Sequence, residues 1–303
     1  MEASDRTDSR LPVKDDAATG TALTLVYAAL IPFIESAAKS LGGTTSSPQI
    51  VVARFAVQFV FISLLLAAVP SLRHPLPRPI WPLLLRGGLL ALGSGLLFAG
   101  LAVMPLVESS AVFFIQPLLL TCLAAVVLGE SVGWQRLVAV LVGLAGALLI
   151  IAPNAANIGW QACFPALAAL CFSGSALLTR RWAGLANAFV FQLVASGVAL
   201  ILAVAVVLVA HQLDLTALQA HQPTGSEILL LLVVGGGATI TNLLLTQAFR
   251  ITPVSVIGPF LYVEIIGAAL VGYWFFGDAP ELWTMVGALL VVGAGCYTWR
   301  RET

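Results

Sequence analysis

The sequence predicts an all-α polytopic membrane protein, with ten transmembrane helices arranged as two inverted five-helix repeats. Three observations carry that expectation. Hydrophobic residues make up 60% of the chain and charged residues 9%, with a mean hydropathy of +1.02, whereas a soluble domain carries about 25% charged residues. The segment at 105–151 is written a second time: a shift of 148 places Pro105 on Pro253, Gly129 on Gly277 and Glu130 on Asp278. One added residue then places Trp134 on Trp283 and Gly146 on Gly295. Finally, the basic residues are distributed as an odd number of spans per repeat requires.

Residues 1–20 are polar, mixed in charge and free of aromatics, so a disordered cytoplasmic tail without a cleavable signal peptide is expected. Ten apolar runs follow, at 21–41, 48–70, 80–103, 105–128, 134–151, 159–180, 187–210, 227–249, 253–276 and 283–299. A helix of ~20 residues covers the ~30 Å hydrocarbon core, and these runs have that length. Pro48, Pro105 and Pro253 fall in predicted first turns, where a missing amide costs nothing. The first repeat is 21–151 and the second 159–299.

Placing the N-terminus inside puts Arg6, Arg10, Lys14, Arg73, Arg78, Arg86, Arg136, Arg180, Arg181, Arg250, Arg300 and Arg301 on the inner side. The outer segments at 42–47, 104, 152–158, 211–226 and 277–282 hold no Lys or Arg. Both termini are therefore expected in the cytoplasm, with the chain in the inner membrane. Five spans per repeat force the second repeat to enter from the opposite side. Inverted repeats of this kind place a substrate near the midplane in secondary transporters.

The layout and the two stretches PLVESSAVFFIQPLLLTCLAAVVLGESVGWQRLVAVLVGLAGALLI and PVSVIGPFLYVEIIGAALVGYWFFGDAPELWTMVGALLVVGAG resemble the drug/metabolite transporter superfamily, in particular its EamA-like bacterial members. The segment ESAAKSLGGTTSSPQIVVARF at 35–55 is similar to a subgroup of riboflavin and S-adenosylmethionine uptake carriers. The resemblance covers roughly residues 22–300. It implies transport of a small organic metabolite, in a superfamily whose cargo ranges from amino acids to vitamins, nucleotide-like molecules and drugs.

Charged groups inside hydrocarbon mark function by default. Glu35 and Lys39 share a helix face, and Lys39 can pair with Glu35 or snorkel outward. Glu35 and Arg54 lie at similar depth on consecutive helices, so they are expected to meet, either as a helix-locking pair or with Arg54 lent to a substrate anion. Glu108, three residues into helix 4, reads as a rim residue. Glu264 falls eleven residues into helix 9, near the bilayer centre, and the 148 shift places it on Gln116 and Tyr262 on Phe114. These four side chains are candidates for a midplane cavity, with Glu264 as a proton carrier or as a neutral group bonded to Asn242, Thr241 or Tyr262. Such a cavity suits a flat, hydrogen-bonding cargo such as a vitamin or nucleoside; export of amino acids, related metabolites or drugs is the alternative.

Glycines 87, 88, 93, 95 and 100, with 235, 236 and 237, are read as close-approach points between helices, the triplet also as a bend. Cys122, Cys163, Cys171 and Cys296 lack metal-ligand spacing, no Walker-type run occurs, and the three histidines lie in loops. A metal, a cofactor, an ATP motor and a catalytic constellation are accordingly not expected, and nucleic acid is not a partner at a net charge of zero. A channel would want a ring of like polar groups, and a membrane enzyme a cluster of nucleophile and base. The expected partners are a small-molecule substrate and the lipid bilayer, with the proton as candidate coupling ion and a monomer or dimer as the assembly.

Overall fold

Helix formation begins earlier than the apolar run predicts, because a polar cap starts it. In this computed structural model, which describes residues 14–41, 45–103, 109, 112–130, 132–151, 159–213, 221–271, 273–274 and 282–302, α1 spans Ala17–Leu41. The Asp16 carboxylate accepts from the Thr19 amide at 2.9 Å and the Thr19 hydroxyl at 2.6 Å, satisfying a donor that the first turn would leave unpaired. Residues 17–20, expected in a disordered tail, are thus helical, and the rest of that expectation, on residues 1–13, lies outside the described residues.

Ten further helices follow in the described residues: α2 Ser47–Ala68, α3 Trp81–Val103, α4 Gln116–Leu123, α5 Trp134–Ile151, α6 Cys163–Arg181, α7 Ala188–Gln212, α8 Gly225–Ile251, α9 Val254–Leu261, α10 Val263–Val271 and α11 Leu282–Glu302. No strand occurs among the described residues. Six of these helices are long and apolar enough to cross a membrane, and shorter apolar stretches run at Gln116–Leu128, Trp134–Leu149, Val254–Gly267 and Met285–Ala294. Exposed Trp81, Trp134, Trp160 and Trp283 sit at or near helix starts, the depth at which an amphipathic ring prefers a membrane interface.

The runs at 105–128 and 253–276, read as unbroken helices, are each interrupted near the middle. Phe114 and Ile115 form a turn before α4, and Tyr262 forms one between α9 and α10. Pro117 cannot donate to the carbonyl four residues back, and Ile115 instead bonds Val112 at 3.2 Å in a tighter turn. Ile265 likewise bonds the Tyr262 carbonyl at 3.1 Å. Tyr262 is the 148-shifted equivalent of Phe114, so both stretches break at the same place.

Helices before residue 152 pack mainly on helices after it. α1 lies along α8, α3 along α6, α2 along α7 and α8, and α5 along α11. Exchanging α1–α5 for α6–α11 turns the α1–α8 contact into α6–α3, α2–α8 into α7–α3, and α4–α6 into the contact of α9 and α10 with α1. Glycine sets several of these distances. A Cβ on Gly146 would stand 2.7 Å from the Gly287 carbonyl, and one on Gly235 only 2.5 Å from Val57. Gly87, Gly93, Gly100 and Gly237 also abut neighbouring helices, as read from sequence, but Gly88, Gly95 and Gly236 have nothing within 4 Å.

One end of the bundle is laced by polar ties between helices. The Asp16 amide donates to Ile251 at 2.7 Å and the Thr252 hydroxyl to the Asp16 carbonyl at 2.8 Å. Arg180 holds Asp15 at 2.8 Å and the Arg250 carbonyl at 3.1 Å, while Arg250 reaches Ala183 at 3.0 Å. Glu130 closes the same end. Gly129, at φ 68° and ψ 23°, ends the π-turn Ala124–Leu128 in the left-handed region that favours glycine. The turn aims the Glu130 carboxylate at the first amides of α9, Val254 and Ser255, each at 3.0 Å.

Candidate substrate-binding site

The site is assembled from α1, α2 and α10, and a proline notch seats the last of these. Pro32 inside α1 has no amide for the Ala28 carbonyl. Gly267 of α10 fits there, its missing Cβ lying 2.8 Å from the Pro32 ring and 3.2 Å from the Ala28 carbonyl. Glu264, three residues earlier on the same face of α10, is thereby turned toward α1. It neighbours the Tyr27 side chain across that contact.

Tyr27 and Glu35 are two turns apart on one face of α1. Glu35 lies within range of the Arg54 and Glu264 charges, and the neutral Tyr27 phenol neighbours all three, so the four side chains form one polar cluster. The direction of Arg54 follows from its neighbours on α2. Ile50 joins Leu41, Leu231 and Val234 against α1 and α8, whereas Val51 and Phe55 join Ala199 and Ala203 against α7. Arg54 projects between those two sectors, into the bundle. No ion pair shorter than 4.0 Å joins Glu35 to Arg54 among the described residues. Their relation is attraction across a gap rather than the direct contact expected, and the Arg54 Nε is buried without a partner.

Glu35 is exposed, Tyr27, Arg54 and Glu264 are half-buried, and all four lie within helices whose outer faces are apolar. A charged side chain in such a setting needs either water in a cavity or a polar ligand. Two carboxyls and one guanidinium can together bind a cation, an anion beside Arg54, or a proton.

Phe114 and Tyr262 do meet, with ring centroids 6.5 Å apart at 41°. They belong, however, to the apolar cluster of Val140, Ala147, Ile265 and Val291. Tyr262 presses its ring against Gly143 of α5, two residues from Glu264 on an opposed face of the chain. Its hydroxyl is buried and has no hydrogen-bond partner among the described residues. Gln116 and Asn242 are half-buried, and the Gln116 backbone carbonyl accepts from Ser173 at 3.3 Å. Among the described contacts, none joins the side chain of either to Glu264. The Lys39 side chain and Glu108 lie outside the described residues.

Tyr27 escapes sequence reading because it carries no charge, although its spacing of eight from Glu35 was a usable signal. Gln58, one turn beyond Arg54 in an otherwise apolar run, was another. Arg86, counted with the inner loops, is a buried residue of α3, 4% exposed. It donates to Thr179 at 2.7 Å, Thr246 at 2.8 Å and the Phe191 carbonyl at 3.2 Å.

The EamA-like transporter family model matches residues 18–152 and again 159–298. The chain belongs to that family. It is a membrane transporter, not an enzyme. The chain is 31% identical over 222 residues to a riboflavin transporter of Rhizobium johnstonii, covering 73% of this chain and 71% of that one. It is 28% identical to an S-adenosylmethionine uptake transporter of Rickettsia felis, over 70% of this chain and 69% of that one. A pseudopaline exporter of Pseudomonas aeruginosa is 27% identical over 91% of this chain and 94% of its own. A solved crystal structure has the same fold, with a TM-score of 0.74 at 20% identity over 95% of this chain and 99% of that one.

Proposed function

We propose that this transporter is a secondary carrier of the inner membrane that alternates access around the Tyr27–Glu35–Arg54–Glu264 cluster. The single observation carrying this is that cluster, two carboxyls, a guanidinium and a phenol gathered within apolar helices. The reading takes the chain as ten spans in two inverted repeats, 21–151 and 159–299, with both termini cytoplasmic. The exchange-related helix contacts and the breaks at equivalent positions support it.

In this reading the laced end faces the cytoplasm and is closed. Arg86 and Arg250, near that end, are 4% and 6% exposed, whereas Glu35, six residues from the opposite end of α1, is open. The conformation is outward-facing. Cargo is a flat, hydrogen-bonding metabolite of vitamin or nucleoside type, bound with Glu264, Glu35 and Arg54 and flanked by Gln116 and Asn242, while Phe114 and Tyr262 stay in the apolar cluster against α5. Glu264 can carry a proton. Export of metabolites is the second reading, favoured by the longer match to the pseudopaline exporter.

Uptake into proteoliposomes tests this. A carrier shows saturation and counterflow; linear uptake without counterflow overturns it. Glu264→Gln should abolish pH-driven accumulation and leave cargo-for-cargo exchange intact. Accumulation at the wild-type level would remove Glu264 from proton coupling.

A further inference from the structure

Gln58 is fully buried in α2, and neither its Oε1 nor its Nε2 has a hydrogen-bond partner among the described residues. Buried side-chain amides nearly always have partners, and an unmade bond is costly because water has been given up for nothing. Here two such atoms belong to one side chain. A third unpaired atom, the Arg54 Nε, sits one turn earlier on the same helix face.

Position reinforces the chemistry. Val57 faces α8 at Gly235 and Phe59 faces α7 at Gly197, which leaves Arg54 and Gln58 directed between those neighbours. Gln58 lies eleven residues into α2, Tyr27 ten residues into α1, and Glu264 ten residues beyond the start of α9. All three are at the depth of the bundle's middle.

We infer that Gln58, with Arg54, reads an N–H/C=O edge of the cargo, so that the transporter selects a planar lactam or imide. A primary amide offers one acceptor and two donors in a plane, which pairs with an adjacent N–H and C=O in two parallel hydrogen bonds. The Arg54 guanidinium adds a donor beside it, suited to a second carbonyl. Gln58 is buried in this outward-facing conformation, so the pairing forms as the helices around it rearrange about cargo that has already entered. This inference rests on the midplane site proposed above and adds Gln58 as its specificity-determining residue.

The test uses purified full-length transporter with riboflavin and uridine as probes, each against its N3-methyl analogue, which blocks that edge. Wild type should bind the unmethylated member of at least one pair at least tenfold more tightly. Gln58→Met should bind both members of that pair equally, with a melting temperature no lower than wild type, since no structural bond is lost. Retained discrimination in Gln58→Met, or a marked fall in its melting temperature, overturns the role of Gln58 while leaving the midplane site standing. Equal binding of both members of each pair by wild type overturns the edge-reading alone. Failure of wild type to bind any of the four probes overturns both the inference and the proposed cargo class.

Discussion

The carboxylate of Glu130 accepts both the amide and the hydroxyl of Ser255, at 3.0 and 2.7 Å, so the turn after α4 caps a helix of the other repeat. The Ser255 oxygen also accepts from Arg136 at 2.9 Å. A carboxylate on helix amides is a charge-assisted bond that also opposes the positive end of the helix dipole.

Glu130→Gln should therefore lower stability by about 1–2 kcal/mol, the range of a lost cap. Thermal unfolding in detergent reads this, and a cysteine placed at Ser255 in that background should label faster from the laced end. An unchanged midpoint together with unchanged labelling would show that the cap holds nothing closed.

Gly267→Ala should push α10 away from α1. The added Cβ meets the Pro32 ring at 2.8 Å and a backbone carbonyl at 3.2 Å, neither of which can yield freely. Overpacking of this kind costs about 1–3 kcal/mol. Because Glu264 rides on the same helix face, transport should fall further than stability does. Wild-type uptake in Gly267→Ala would mean that this contact does not position Glu264.

Arg86→Gln should cost on the order of 3 kcal/mol, since three acceptors on α6, α7 and α8 lose a charged donor together. Thr246→Val should cost about 1–2 kcal/mol, because one charged hydrogen bond remains unmade. Chemical denaturation of the two single variants and the double variant should give losses that do not add, as the groups share one network. Strict additivity would contradict that linkage.

Asp16 supplies a pH dependence. The Thr19 hydroxyl, and then its amide, hold the Asp16 carboxyl below the ordinary aspartate range. A depressed folded value means that the stabilisation is complete above the unfolded value of ~3.9 and is lost as pH falls through the folded one. Melting temperature should drop in that acidic window for wild type and less steeply for Asp16→Asn. Parallel curves would exclude the cap.

The apolar runs were legible because hydrocarbon demands them, and nearly every helix appears where its run lies. The internal breaks were not, since Phe114 and Tyr262 are apolar residues that suit a membrane helix, and only the prolines near them, Pro117 and Pro259, hinted at a turn. Glu35, Arg54 and Glu264 stood out as charges in lipid-facing composition. Their partner Tyr27 did not, because a tyrosine in a membrane helix has several ordinary uses. Tyr262 and Glu264 were read as neighbours lining one cavity, yet a separation of two residues on a helix sends them to opposed sides. Depth is readable along a helix; azimuth needs the neighbours.

The crossing of α5 and α11, where Gly146 lies against the Gly287 carbonyl, has a bearing on how the molecule can be made. Each repeat lends surfaces to the other, so part of each interior is covered only when both are present. A polypeptide ending within 152–158 should be degraded when expressed alone. Supplied in the same cell with the remainder of the chain, it should assemble into a working carrier held together without a peptide link.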